Sequence, residues 1–245
     1  MWRLLLILAL CGSASAVVPL HSCTSAAFGT SQSCNIPSVG QHHLIVAVMW
    51  TNGDTNVLSY TDSAGNSFSQ NPFFACYPTG PACNTGVGVA QSYSISFAPR
   101  SAVLFYSSTG TFSGSDTFTV SNGDFVVDLY VAEYDQDLIN ADTGNQGNSP
   151  ATSQVTTTGA NDLIISIAAD SGTSTCNFTA PASGFTIEYN PANRCMNYAD
   201  RINLTPGTYT AGSTASGAAA IGYSTIAFGV SPFASGAVRH ARNQY

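Results

Sequence analysis

The stretch 42–68, HHLIVAVMWTNGDTNVLSYTDSAGNSF, sets a pattern that the rest of the chain repeats. An apolar run from Leu44 to Trp50 gives way to the polar turn Thr51–Asn56. A shorter run, Val57–Thr61, then leads into Asp62-Ser63-Ala64-Gly65-Asn66. Apolar runs of this length, rich in Val and Ile and punctuated by Gly, Asn and Asp, read as strands joined by tight turns. Leu44–Trp50 is nearly continuous, so both of its faces should be covered. Asp62 and Asn66 are suited to an Asx-stabilised turn, and Gly65 to a positive φ.

The remaining elements follow the same reading. An edge strand is expected around Ala26–Phe28, and Val87–Phe97 alternates as a half-buried strand. Asp116–Ser121 places Phe118 and Val120 on one face and Thr117 and Thr119 on the other. Asn122-Gly123-Asp124 is then a hairpin signal before Phe125, Val127, Leu129 and Val131. Residues 134–151 read as a long polar loop. Val155–Thr158 is expected to pair with Leu163–Ala169 across Gly159-Ala160-Asn161-Asp162. Further strands are expected at 185–189, 195–203, 207–212 and 218–230. No segment after the first 16 residues sustains a 3.6-residue period. Many short strands at close spacing predict an all-β fold, an antiparallel two-sheet β-sandwich of jelly-roll or related type.

Residues 1–16 read as a secretory leader: Arg3, then the apolar Leu4 to Leu10, then Ala14-Ser15-Ala16 before Val17. The expected organisation is therefore a leader at 1–16, a single sandwich domain at 17–231 and a free tail at 232–245. The localisation it implies is secreted, extracellular or cell-surface. No second segment approaches the ~20 apolar residues of a membrane span. Cys23, Cys34, Cys76, Cys83, Cys176 and Cys195 remain after the leader, an even number that argues for disulfides in an exported chain. Their clustering favours Cys23–Cys34, Cys76–Cys83 and Cys176–Cys195. The spacing does not suit a zinc site.

Charge changes the picture of partners. Charged residues are 8% of the chain, against roughly 25% in average soluble proteins. There is no Lys, and the formal net charge is −7. Nucleic acid and anionic lipid both need cationic contacts, so neither fits. A cation, a neutral glycan or another protein does. With 44% hydrophobic residues the chain is not of disordered composition.

The stretches VGQHHLIVAVMW, VLSYTDSAGNSFSQ, SAVLFYS, DTFTVS, LYVAEYDQDLINADTGNQG, SQVTTTGANDLIISIAA, SGFTIEY and IAFG, in this order, cover roughly Val39 to Gly229. In them the chain resembles a β-sandwich domain widespread in secreted and cell-surface bacterial proteins, often of unassigned function. The resemblance implies a single extracellular sandwich, frequently beside adhesive or carbohydrate-active modules, and no catalytic residues. The chain is expected to depart from it in standing alone and in its cysteine pairs.

Candidate chemistry gathers at Glu133-Tyr134-Asp135-Gln136-Asp137 and Asp142. Period-2 alternation puts Glu133, Asp135 and Asp137 on one strand face. Retaining glycoside hydrolysis needs two such carboxyls about 5 Å apart. The run faintly resembles the E-x-D-x-E strand of jelly-roll glucanases, with Asp137 a methylene short. Asp135, Asp137 and Asp142 suit an oxygen-ligated calcium site, beside the alternative of a solvated acidic loop. No other cofactor is expected.

Tyr130 and Tyr134, with Tyr189, Tyr198, Tyr209 and Tyr223, are either an outward row for stacking on sugars or core packing. Tyr130, Tyr134 and Asp135 are the binding candidates. His42-His43 reads as a strand-start pair with ordinary surface roles. Asn177 and Asn203 begin glycosylation sequons.

The expected function is a secreted, non-catalytic module for extracellular binding or adhesion, towards glycan or protein. Two alternatives are a structural subunit that self-associates through strand edges and a glycoside hydrolase built on Glu133.

Overall fold

In a computed structural model of the chain, the structure describes residues 19–27, 29–41, 43–52, 58–66, 68–70, 100–107, 114–147, 149, 151–170, 177–182, 184–191, 196–203, 205–216 and 221–232. Among these residues every regular element is a strand: β1 (His21–Ser25), β2 (Gly29–Val39), β3 (Leu44–Asn52), β4 (Leu58–Asp62), β5 (Ser69–Gln70), β6 (Arg100–Ser107), β7 (Gly114–Tyr134) and β8 (Gln136–Gly147). The second half adds β9 (Gln154–Thr157), β10 (Leu163–Asp170), β11 (Asn177–Pro181), β12 (Thr186–Tyr189), β13 (Met196–Ile202), β14 (Gly207–Thr210), β15 (Ser213–Ser216) and β16 (Ile221–Pro232). All pairings are antiparallel. The all-β class expected from the sequence is the one observed. Among the described residues no helix is long and apolar enough to cross a membrane.

β7 is the hub of the first sheet. Its second half lies between β1 and β3, and its first half between β2 and β4. β6 and β5 extend the sheet beyond β3. The second sheet runs β12-β13-β10-β16-β8. Two small sheets, β11-β15 and β14-β9, complete the set.

Burial shows why these segments are strands. Leu44 through Trp50 are all at most 1% exposed. Leu44, Val46, Val48 and Trp50 pack with Leu163, Ile165, Ile167, Tyr198 and Phe228 of the second sheet. Ile45, Ala47 and Met49 pack the other way, with Ile36, Phe118, Val120, Leu129 and Val131. The expectation that both faces of β3 are covered is met. Phe118 and Val120 share a cluster with Leu129 and Val131, although all four lie on β7. The first sheet therefore curls over itself and buries a second core on the side away from the second sheet.

Several expectations are corrected. Asn122-Gly123-Asp124 does not make a hairpin; the strand continues from Gly114 to Tyr134. Both sides of each half have ladder partners, so the turn-forming residues are absorbed into a bend with shifted register. Residues 134–151 are not a loop: β8 is an edge strand paired with β16. An edge needs no apolar face, which is why its polar sequence misleads. β9 pairs with β14, and β10 pairs with β13 and β16, so the predicted hairpin between them does not form. Asn203 explains this. Its Oδ1 accepts from the Asp162 N–H at 2.6 Å, and its Nδ2 donates to Thr157 Oγ1 at 2.7 Å and the Gly159 carbonyl at 2.8 Å. The connection, with Asn161 at φ 67°, is thereby tied to the end of β13 instead of closing a tight hairpin. The first strands are His21–Ser25 and Gly29–Val39, either side of the expected 26–28.

Cys23 and Cys34 form the expected disulfide, with Cα atoms 5.7 Å apart. Cys76, Cys83, Cys176 and Cys195 lie outside the described residues, as do the expected leader, the strand at 87–97 and positions 233–245. At the 62–66 turn Asp62 accepts from the Asn66 N–H at 2.7 Å and from Asn66 Nδ2 at 2.6 Å, while Gly65 takes φ 78°.

Candidate functional site

The last residues of β7, Asp128-Leu-Tyr-Val-Ala-Glu-Tyr134, alternate between two cores. Tyr130, Ala132 and Tyr134 face the second sheet, and Leu129 and Val131 face the curl of the first. Glu133 belongs with the second set: a carboxylate where the pattern calls for an apolar side chain. Its side chain has 0% exposure. A bare buried carboxylate would be costly, so partners are required.

Three neighbouring elements supply them. β1 places His21 directly opposite Glu133 in the ladder, with His21 Nδ1 2.6 Å from Glu133 Oε2. The β2–β3 connection brings His43 Nδ1 to 2.6 Å from Oε1, and the Gly40 N–H donates to the same oxygen at 2.7 Å. Gly40 permits this approach, because a Cβ there would overlap the His43 ring as it sits. The other nitrogen of that ring, Nε2, lies 3.0 Å from Asp135 Oδ1. Asp135 is the single residue between β7 in the first sheet and β8 in the second.

The electrostatics follow from this geometry. Burial alone would raise the Glu133 pKa, but the hydrogen bonds from His43, Gly40 and His21 outweigh it and hold the carboxyl below its ordinary range. The hydrogen bond to Glu133 raises His43 despite burial, and the charges of Glu133 and Asp135 add to it. His42-His43 was expected to play ordinary surface roles. For His43 this is wrong, since the ring is 14% exposed and bridges two carboxylates. The His42 side lies outside the described residues.

The opposite face of the strand meets a second buried carboxyl, Asp200 of β13. Tyr134 donates to Asp200 Oδ2 at 2.5 Å, and its oxygen is 2.7 Å from that of Tyr198. Asp200 Oδ1 is buried with no hydrogen-bond partner. Desolvation, opposed by the Tyr134 hydrogen bond and reinforced by the charge of Glu188, pushes the Asp200 pKa up to about 8. Tyr130 stacks on Tyr189, with centroids 5.2 Å apart, and lies 4.8 Å from the Tyr198 ring. Tyr130 and Tyr134 are 2% and 1% exposed, so they form no outward platform. The core-packing reading of these rings is the one observed.

Of the expected calcium set, the side chains of Asp137 and Asp142 lie outside the described residues. Asp135 is engaged by His43. Asp137, opposite Ser231, and Asp142 lie five residues apart on the edge strand, with register shifts between them. Among the described residues no three His, Cys, Asp or Glu side chains are grouped to hold a metal. The two histidines near Glu133 are spent on its separate oxygens. Asn203 is fully buried, and its Nδ2 is committed to hydrogen bonds, so the folded chain presents no acceptor there. Asn177 opens β11 opposite Ser216.

A surface that sequence reasoning passed over lies on the outer side of the curl. Across β2, β7 and β4 the register aligns Ser31, Ser121 and Ser59, then Ser33, Thr119 and Thr61. Asn35 and Thr117 follow, with Asn35 Nδ2 donating to Thr117 Oγ1 at 3.0 Å and to Ser115 Oγ at 2.9 Å. Ser121 Oγ donates to Ser31 Oγ at 3.0 Å. All of these side chains are exposed or half-exposed, and none is charged. The signal was present in the alternation of Ser31–Asn35, Ser59–Thr61 and Ser115–Ser121, but pairing the three segments required the register. No family model matches the chain, and neither a curated protein nor a solved structure matches it.

Proposed function

We propose that the protein is a secreted, non-catalytic β-sandwich module that binds an extracellular glycan through the hydroxyl and amide face of β2, β7 and β4. The observation that carries this reading is the composition of that face: exposed and half-exposed Ser, Thr and Asn side chains in register, without a charge, on an acidic chain. Such a surface offers donors and acceptors at ordinary sheet spacing, ~4.8 Å between strands. It lacks the cations that phosphates or sulfates would demand. A neutral polyhydroxylated partner fits it. The hydrolase alternative finds no support in Glu133, because a general acid needs a raised pKa and access to the substrate. Glu133 is held low, and its oxygens are taken.

The test is a glycan array followed by calorimetry on the neutral polysaccharides that score, with Thr61→Asp and Ser33→Arg as paired variants. Exposed substitutions of this kind should move stability by no more than about 0.5 kcal/mol, while binding is lost. Binding that survives both charges would refute the face. Recognition of protein ligands only, or release of reducing sugar by the native chain, would refute the function.

A further inference from the structure

We propose that His43 is a standing imidazolium, and that its proton operates a latch on the chain before Cys23 and on the crossing from β7 to β8. A neutral imidazole has one N–H and one lone pair, whereas the imidazolium donates from both nitrogens. His43 has a carboxylate on each side: Glu133 Oε1 at 2.6 Å from Nδ1 and Asp135 Oδ1 at 3.0 Å from Nε2. Neither oxygen can donate when ionised, so only the doubly protonated ring satisfies both contacts. Removal of one proton leaves a ring lone pair facing a carboxylate oxygen.

The latch joins four elements. β1 contributes His21, β7 contributes Glu133, the bend contributes Asp135, and the β2–β3 connection contributes the Gly40 N–H. Asp137 follows two residues after the bend, on β8, where its ladder partner is the uncharged Ser231. The strand attached most directly is β1. The Leu20 N–H donates to the Glu133 carbonyl at 2.7 Å, and His21 lies opposite Glu133. The Cys23–Cys34 disulfide ties β1 to β2, so release stops at Cys23. What opens is the edge of β7 beside Ala132 and Glu133.

The direction in pH is fixed. His43 is raised above its ordinary 6.5, so its contribution is complete below 6.5 and is lost as pH climbs through the raised value. Glu133 is held below its ordinary 4.5, so its contribution is complete above 4.5 and is lost only as pH falls through the lowered value. The latch is closed between those ordinary values and opens on the alkaline side.

The test is ¹⁵N-histidine NMR on the oxidised full chain, with amide exchange of residues 20–23 corrected for the intrinsic rate. Both nitrogens of His43 should carry protons at pH 6.5, and the midpoint should lie above 6.5. Exchange at 20–23 should rise about tenfold per unit of pH beyond that midpoint. Asp135→Asn, at an exposed position, should keep the fold and lower the midpoint, moving the onset of exchange with it. His43→Gln should exchange freely at 20–23 at every pH. A neutral His43 tautomer at pH 6.5, or exchange at 20–23 that is independent of pH, would overturn the proposal.

Discussion

Glu133 and Asp200 are both fully buried carboxyls within reach of the same few residues of β7, yet they are held in opposite states. Glu133 sits under two imidazoles and a backbone N–H and stays ionised. Asp200 sits under one phenol, with one oxygen bare, and holds its proton up to about pH 8. Solvent exposure does not distinguish them. The number and charge of the donors does: hydrogen bonds to the charged form outweigh desolvation at one site and lose to it at the other. One strand thus carries an ionic clasp on one face and a neutral hydrogen-bond clamp between sheets on the other.

Removing the ionic side should cost most. Glu133→Ala removes the shared acceptor of His21, His43 and the Gly40 N–H, and at pH 6 it should lose about 3–5 kcal/mol in urea unfolding. Asp200→Asn sharpens the contrast through pH. A carboxyl raised from its ordinary 3.8 to about 8 contributes stability that is present below 3.8 and lost as pH rises to about 8. The variant should therefore lose little at pH 4 and gain on the wild type towards pH 8. Linkage puts the divergence on the order of 4 kcal/mol. Tyr134→Phe removes the donor to Asp200 and the contact with Tyr198. It should cost about 1–3 kcal/mol by the same measurement, without altering the His43 titration. Asp135→Asn should be the mildest, below about 1 kcal/mol, because Asp135 is exposed.

Part of this was legible in the sequence. The apolar run Leu44–Trp50 announced a strand covered on both faces, the Asp62–Asn66 turn announced its glycine, and the spacing of Cys23 and Cys34 announced their bond. β8 was not legible, because an edge strand carries no core pattern. The continuity of β7 through Asn122-Gly123-Asp124 was not either, since local turn chemistry gave way to ladder partners on both sides. The partner of β9 depends on Asn203, distant in sequence. The clasp left one trace: Glu133 interrupts Leu129 and Val131 in a chain with few cations to satisfy it. Naming His21 and His43 as its partners needed the register of β1 and the close approach allowed by Gly40.

The most direct measurement is a side-chain carboxyl ¹³C titration of Glu133 and Asp200 in the folded protein. Glu133 should ionise below its ordinary 4.5, and Asp200 should stay protonated until about pH 8. Two carboxyls titrating together, or an ionised Asp200 at pH 6, would contradict it.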